Sequence, residues 1–167
     1  MTPKALDYRT LDLPDRKILS ALRADARLTM SQLAEKVGLS ASPCWTRVKR
    51  LEALGVIERY AAILDHSALG LSDVVFVEIT LDKHSGTVLE AFGKALSRVP
   101  EIIEAYLVAG EYDYLVKVAV ANTSDYERFL RDRLYTIEGV RHTRSVFALR
   151  ALKQGVSVDP MLISHRN

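Results

Sequence analysis

Two different rhythms of apolar residues divide this chain. Up to about Leu54 the apolar positions recur at helical spacing; from Val74 they alternate in short runs. Leu13-Pro14-Asp15 opens a first helix, with Pro and Asp suited to a first turn, and Ile18, Leu19 and Leu22 give it an apolar stripe. A second helix starts at Thr29 as N-cap, buries Leu33, Ala34 and Val37, and stops at Gly38. A third, capped by Ser40, carries Cys44, Val48, Leu51 and Leu54 on one face, and Gly55 ends it. Val56–Tyr60 and Ala61–Leu64 read as short strand-like runs.

Beyond a connector, 65–73, the pattern is strand, helix, strand, stated twice. Val74–Leu81 is a β-branched run. A helix over 85–98 buries Leu89, Phe92, Leu96 and Val99, and Pro100 stops it. Strands follow over 101–108 and 113–120, the latter with Tyr114, Val116, Val118 and Val120 on one face. A helix capped by Thr123 or Ser124 carries Tyr126, Phe129, Leu130 and Leu134, and 140–149 is the last strand. Two tandem units of this kind make a ferredoxin-like β-α-β-β-α-β sheet with both helices on one face. The opposite face carries apolar residues and no helix remains to cover it. Packing on the same face of a second copy is expected, so the chain is expected to form at least a homodimer.

Composition changes this picture only in one respect. The 167 residues are 49% hydrophobic, which fits one or two folded domains and excludes disorder. No apolar stretch is long enough to span a bilayer. Met1-Thr2-Pro3-Lys4 reads as the start of a mature, cytoplasmic chain, and the single cysteine fits a reducing compartment. The net charge of +2 argues against nucleic acid only if it is evenly spread. It is not: residues 1–60 hold 11 basic and 7 acidic side chains (+4), leaving 12 against 14 (−2) for the remainder.

The basic part falls on the third helix. Ser40–Leu51 contains Arg47, Lys49 and Arg50 and no acid. Two short helices joined by a Gly turn and ending in a basic helix form a helix-turn-helix pattern. With Cys44, Val48 and Leu51 inward, Ser42, Thr46 and Lys49 point outward, Arg50 beside them and Arg47 on the flank. Hydroxyl and ammonium groups there suit base edges in a major groove, and the guanidinium groups suit phosphates. Ser40 and Trp45 join the candidate set, Trp45 either packing on the helix flank or touching DNA. The competing reading is a basic face that is merely solvated.

The order of several short motifs is more specific than any one of them. Leu13-x-Asp15-x-x-Ile18-Leu19, Leu33-Ala34-x-x-Val37-Gly38-Leu39-Ser40, Cys44-x-x-Arg47-Val48-x-x-Leu51-x-x-x-Gly55-Val56-Ile57 and Leu107-Val108-x-Gly110-x-x-Asp113-Tyr114 together resemble the Lrp/AsnC (feast/famine) family of transcriptional regulators, from about Leu11 to Lys153. The resemblance implies an α+β protein. Residues 1–64 would form a winged helix-turn-helix, with 56–64 as the wing, and 65–72 a linker. Residues 73–152 would form the ferredoxin-like βαββαβ amino-acid-sensing and dimerisation domain, and 153–167 a C-terminal tail. It implies double-stranded DNA as partner, dimers that assemble into tetramers or octamers, and an amino-acid effector bound between subunits near the Gly-x-x-Asp turn. Ser42-Pro43-Cys44-Trp45 and Ser145-x-Phe147-Ala148-Leu149-Arg150 further resemble a subgroup that includes a cysteine-responsive regulator; leucine or another amino acid remains open.

The residues allow such a site. A free amino acid needs an acceptor for its ammonium, a role for Asp113, and donors for its carboxylate, a role for the N–H groups of Gly110 and Glu111 beside Tyr112. Tyr135, Thr136, Ser145 and Phe147 can shape the side-chain pocket. The competing reading makes Asp113 a turn residue bonding nearby backbone. Cys44, on the inner face, reads as a buried thiol. His66, His84, His142 and His165 show no i,i+4 pair and no cysteine partner, so neither a metal site nor a cofactor is expected. No nucleophile–base or nucleotide fingerprint is present, and no catalytic residue is assigned. The alternative function is a small-molecule sensor or enzyme on the ferredoxin-like domain, with the N-terminal unit serving assembly.

Overall fold

The computed structural model describes residues 11–163 and divides the chain into two compact units. Among the described residues the first comprises 11–62 together with 153–163; the second runs from Ile63 to Leu152. Met1–Lys4 and His165 lie outside the described residues.

The first unit is three helices around one core. α1 (Leu13–Ala24) starts at Asp12, whose carboxylate accepts the Asp15 N–H at 2.9 Å. α2 (Met30–Val37) starts at a capping box in which Thr29 and Gln32 satisfy each other's backbone N–H. Gly38 ends it at φ +73°, a left-handed conformation that glycine adopts without a Cβ penalty. α3 (Ala41–Ala53) follows at once. Ser40 has the backbone of an N-cap, but its hydroxyl makes no capping bond, contrary to the expectation. Ile18, Leu33, Cys44 and Leu51, none more than 1% exposed, form the centre of the core. Leu54, expected on this inner face, is 40% exposed because α3 has already ended there. The C-terminal segment returns to this unit, where Arg23 Nε donates to the Ser157 carbonyl at 2.8 Å and Arg23 lies 3.8 Å from Asp159.

The strand-like runs over 56–64 form no strand. The N–H groups of Val56 and Ile57 are spent on the Leu51 carbonyl at the end of α3, at 3.0 and 3.2 Å. Nothing at Tyr60-Ala61 supplies the Gly, Asn, Asp or Pro that would fold one run back on the other. Tyr60 instead donates its hydroxyl to Glu52 Oε1 at 3.1 Å.

The second unit is a four-stranded antiparallel sheet in the order β2-β3-β1-β4: β1 (Asp73–Leu81), β2 (Ile102–Leu107), β3 (Tyr114–Val120) and β4 (Val140–Phe147). α4 (Gly86–Leu96) and α5 (Thr123–Asp132) supply the helical layer. Val75, Val77, Ile79 and Leu81 of β1 and Tyr114, Val116, Val118 and Val120 of β3 are buried against Phe92, Leu96, Tyr126 and Phe129. α5 is capped by Asn122, which accepts the Asp125 N–H at 3.0 Å, and not by Thr123 or Ser124. The expected linker contains a 3-10 turn, Ser67–Leu69.

Register assigns the residues of the other sheet face. One row runs Glu104–Lys117–Phe76–Val146 and the next Tyr106–Leu115–Glu78–Arg144. Each row joins an ion pair (Lys117–Glu104, 3.0 Å; Arg144–Glu78, 3.7 Å) to an apolar pair. Phe76, Tyr106 and Val146 stay 37–53% exposed. Among the described residues no helix is long and apolar enough to cross a membrane.

Candidate nucleic-acid interface and effector residues

The exposed side of α3 is built by the burial of its other side. Because Cys44, Val48 and Leu51 lie in the core, Ser42, Trp45, Thr46, Lys49 and Arg50 face solvent, and Arg47 lies on the boundary. Trp45 is 53% exposed, so it is not a core residue of this unit. Ser40 and Ser42 are exposed ahead of it. Burial also pushes the Cys44 thiol up, keeping it un-ionised.

The charged residues are less free than their sequence implies. Asp15 is fully buried at the start of α1. Arg47 Nη1 donates to Asp15 Oδ1 at 2.8 Å and to Asp12 Oδ1 and Oδ2 at 2.9 and 2.8 Å. Arg50 Nη2 donates to the other oxygen of Asp15. A buried carboxylate is costly unless paired, and two guanidinium groups from the neighbouring helix supply the pairing. The cluster ties α3 to α1. Burial works against the Asp12 carboxylate, but the Asp15 N–H and the Arg47 guanidinium outweigh it and hold its pKa below the usual value. Asp15 and Asp12 in turn push Arg47 up.

Two other candidates are engaged as well. Thr46 donates its hydroxyl to the Ser42 carbonyl at 3.1 Å, one turn back on α3. Lys49 Nζ donates to Glu52 Oε2 at 2.8 Å, and Glu52 also accepts from Tyr60. Sequence reasoning missed Asp12, Asp15, Glu52 and Tyr60. For Asp15 a signal exists: with Ile18 and Leu22 it follows the inward spacing of three and four.

The candidate effector residues fall in three places. Gly110–Asp113 forms the bend between β2 and β3. Asp113 Oδ2 accepts the Leu81 N–H at 2.8 Å and lies 3.1 Å from His84 Nε2, so part of its carboxylate pins the end of β1. Tyr135 and Thr136 lie in a 3-10 turn after α5, with the Tyr135 hydroxyl 2.9 Å from Thr143 Oγ1 and Thr136 donating to the Arg133 carbonyl at 2.7 Å. Ser145 and Phe147, on the helix-side face of β4, both meet Tyr126: Ser145 by a hydroxyl–hydroxyl bond, Phe147 edge-on at 5.2 Å. One cleft of about 440 Å³ is lined by Tyr135 and residues 137–143, and another of about 450 Å³ by Leu89, Gly93, Ala105, Leu107 and Tyr114. Neither joins Gly110–Asp113 to Tyr135 or Phe147.

Gly110 has no local reason to be glycine. Its φ is not positive, and a Cβ built on it meets nothing within 4 Å.

Comparison with known proteins matches both units. The family model for winged helix-turn-helix DNA-binding matches residues 11–58, and that for the Lrp/AsnC ligand binding domain matches residues 74–158. The chain is 41% identical over 146 residues to the leucine-responsive regulatory proteins of Klebsiella pneumoniae and of Escherichia coli K12, spanning 87% of this chain and 89% of each relative. Among solved structures it is similar to a transcriptional regulator of Neisseria meningitidis in complex with L-Met (TM-score 0.84, 34% identity, 89% of this chain and 96% of that one). It is equally similar in shape to an AsnC family transcriptional regulator of Agrobacterium tumefaciens (TM-score 0.84, 38% identity, with the same coverage).

Proposed function

The chain belongs to the Lrp/AsnC family of transcriptional regulators, and on that premise we propose that an amino-acid effector tunes its sequence-specific binding to double-stranded DNA. It is a DNA-binding regulator with a ligand-binding domain. The observation that supports α3 as the reading element is its exposed face, where Ser42, Trp45, Thr46 and Lys49 stand free of the core. In this role α3 enters the major groove and Arg47 and Arg50 lie toward the phosphates. A gel shift with the protein's own upstream DNA, repeated at rising salt, tests this. Binding that falls steeply with salt is expected, and no binding at low salt refutes it.

The effector is proposed to be an amino acid whose ammonium meets the second oxygen of Asp113 and whose carboxylate approaches the backbone at Gly110 and Glu111. The open space at Gly110 supports close approach of a molecule from outside the chain. The L-Met complex of the Neisseria regulator and the leucine response of the curated relatives favour an amino acid without choosing which. A ligand that binds only the folded state raises Tm, so a thermal-shift screen of the twenty amino acids identifies it. No shift with any of them counts against the sensor role.

The exposed sheet face of Phe76, Tyr106, Leu115 and Val146 is proposed to pack on itself in a homodimer. Its paired rows of charge and apolar side chains suit a self-complementary contact. Sedimentation at micromolar concentration tests it, a stable monomer being the refuting result. Further assembly of dimers would bring the scattered effector residues of neighbouring subunits together.

A further inference from the structure

Beside α3 lies an open cleft of about 580 Å³ lined by Asp12, Ser42, Pro43, Thr46, Arg47 and Arg50. Its chemistry is that of an anion site: two guanidinium groups and two hydroxyls. One member does not fit. Asp12 places both carboxylate oxygens 2.8–2.9 Å from Arg47 Nη1, which already serves Asp15. Three anionic oxygens thus crowd a nitrogen that carries two hydrogens. The two acids are not equivalent. Asp15 is fully buried and also holds Arg50, so it cannot withdraw. Asp12 is 49% exposed and reaches Arg47 from the solvent side.

We infer that this cleft is a DNA-phosphate subsite and that Asp12 is its internal competitor, occupying at Arg47 the place a phosphate oxygen takes in the complex. The inference rests on the DNA-binding role of α3. A carboxylate and a phosphate present the same kind of acceptor to a guanidinium at the same distance. Binding DNA there exchanges one for the other, and the displaced Asp12 leaves a negative charge beside the incoming phosphate. Asp15 meanwhile keeps Arg47 and Arg50 aimed at the cleft as a positioning residue. Asp12 therefore lowers the purely electrostatic attraction of the helix-turn-helix unit for any duplex.

The test compares the full-length protein with Asp12→Asn, measuring affinity for a random-sequence duplex of about two helical turns between 50 and 200 mM KCl. Asn keeps the shape and the N-cap acceptor of Asp12 but not its charge. Asp12→Ser, which caps the helix but is too short to reach Arg47, is the second variant, and circular dichroism confirms the fold of each. Both are expected to bind the duplex roughly three- to tenfold more tightly at 50 mM KCl. The slope of log K against log salt should steepen by about 0.9 for each Arg47 set free. Adding Arg47→Ala to either variant should abolish the gain. Unchanged or weaker binding by the folded variants overturns the subsite while leaving DNA binding intact. Failure of the unaltered protein to bind any duplex at low salt overturns the DNA reading itself, and the subsite with it.

Discussion

In the helical unit, side chains from two helices converge on one point: Asp12 and Asp15 of the α1 terminus meet Arg47 and Arg50 of α3 within hydrogen-bonding distance. In the sheet unit, the eight candidate effector residues are spread over a hairpin bend, a 3-10 turn and an edge strand, and neither cleft described there joins them. The contrast shows where each function is completed. A reading helix needs only a rigid scaffold, and three helices around Ile18, Leu33 and Leu51 provide one. A pocket for a small charged molecule needs walls on several sides, and here the candidate residues share no cleft while one sheet face, half ion pairs and half apolar side chains, stays uncovered. The first unit is finished within one chain; on the proposed reading the second is finished by a neighbour.

The sharpest way to break the first half of this comparison is to strip Asp15 of its partners. Arg47→Ala with Arg50→Ala leaves a buried carboxylate without compensation. Losing both partners of a buried charge costs about 3–5 kcal/mol, here toward the lower figure because the shortened side chains let water in. Chemical denaturation should show the helical unit unfolding earlier while the sheet unit is unmoved. Asp15→Asn should cost less, since both arginines are already partly solvated and can rehydrate (30% and 46% exposed). If the double variant is as stable as the parent and merely binds DNA poorly, the cluster does not hold the fold. Weakened DNA binding by these alanine variants is therefore informative only beside a stability measurement.

The second half breaks at Phe76. Phe76→Lys would place a second ammonium between Lys117 and Val146 on the open sheet face. If that face is the dimer core, loss of one central aromatic should cost about 2–4 kcal/mol of association, with both copies altered. The monomer fold should survive, because Phe76 points away from the buried layer. Sedimentation reads the result: retained dimers would place the contact elsewhere.

The two units were also unequally legible. Helix limits and core stripes in the first unit follow from 3.6-residue spacing and from caps such as Thr29 and Gly38. The sheet order follows from the doubled strand-helix-strand pattern. What escaped were interactions whose partners lie far apart in sequence. Arg47 looks like a free phosphate hook until Asp12, 35 residues earlier, is seen against it. Asp113 looks like a free acceptor for a ligand ammonium, or a turn residue bonding nearby backbone, until the distant Leu81 and His84 are seen bonded to it. Local pattern says which face a residue occupies; it does not say which distant charge waits there. The strand reading of 56–64 failed for the opposite reason. Val56 and Ile57 have the β-branched character of a strand, but the end of α3 claims their N–H groups.

A smaller effect separates the two roles of Asp113. Asp113→Ala removes the acceptor for the Leu81 N–H, at a cost of about 1–3 kcal/mol to the sheet unit. Asp113→Asn keeps an acceptor oxygen and should restore most of that stability. It should not restore a thermal shift with the effector, because the negative charge opposite the ligand ammonium is gone. If the Asn variant responds to the effector as the parent does, Asp113 serves the fold alone.

The last comparison expects almost no effect on stability, and that is its use. At Gly110 the backbone demands no glycine and a Cβ meets open space. Gly110→Ala should therefore shift stability by no more than about 0.5 kcal/mol, as for an ordinary surface position. Yet if an amino-acid carboxylate comes against this backbone in the assembled protein, the added methyl occupies its path, and the effector-induced rise in Tm should shrink or vanish. Glu111→Ala, one residue along the same bend, leaves the backbone N–H groups in place and should keep the response. A full response from Gly110→Ala would remove this bend from the effector site and leave the residues near Tyr135 and Phe147 to form it with a neighbouring subunit.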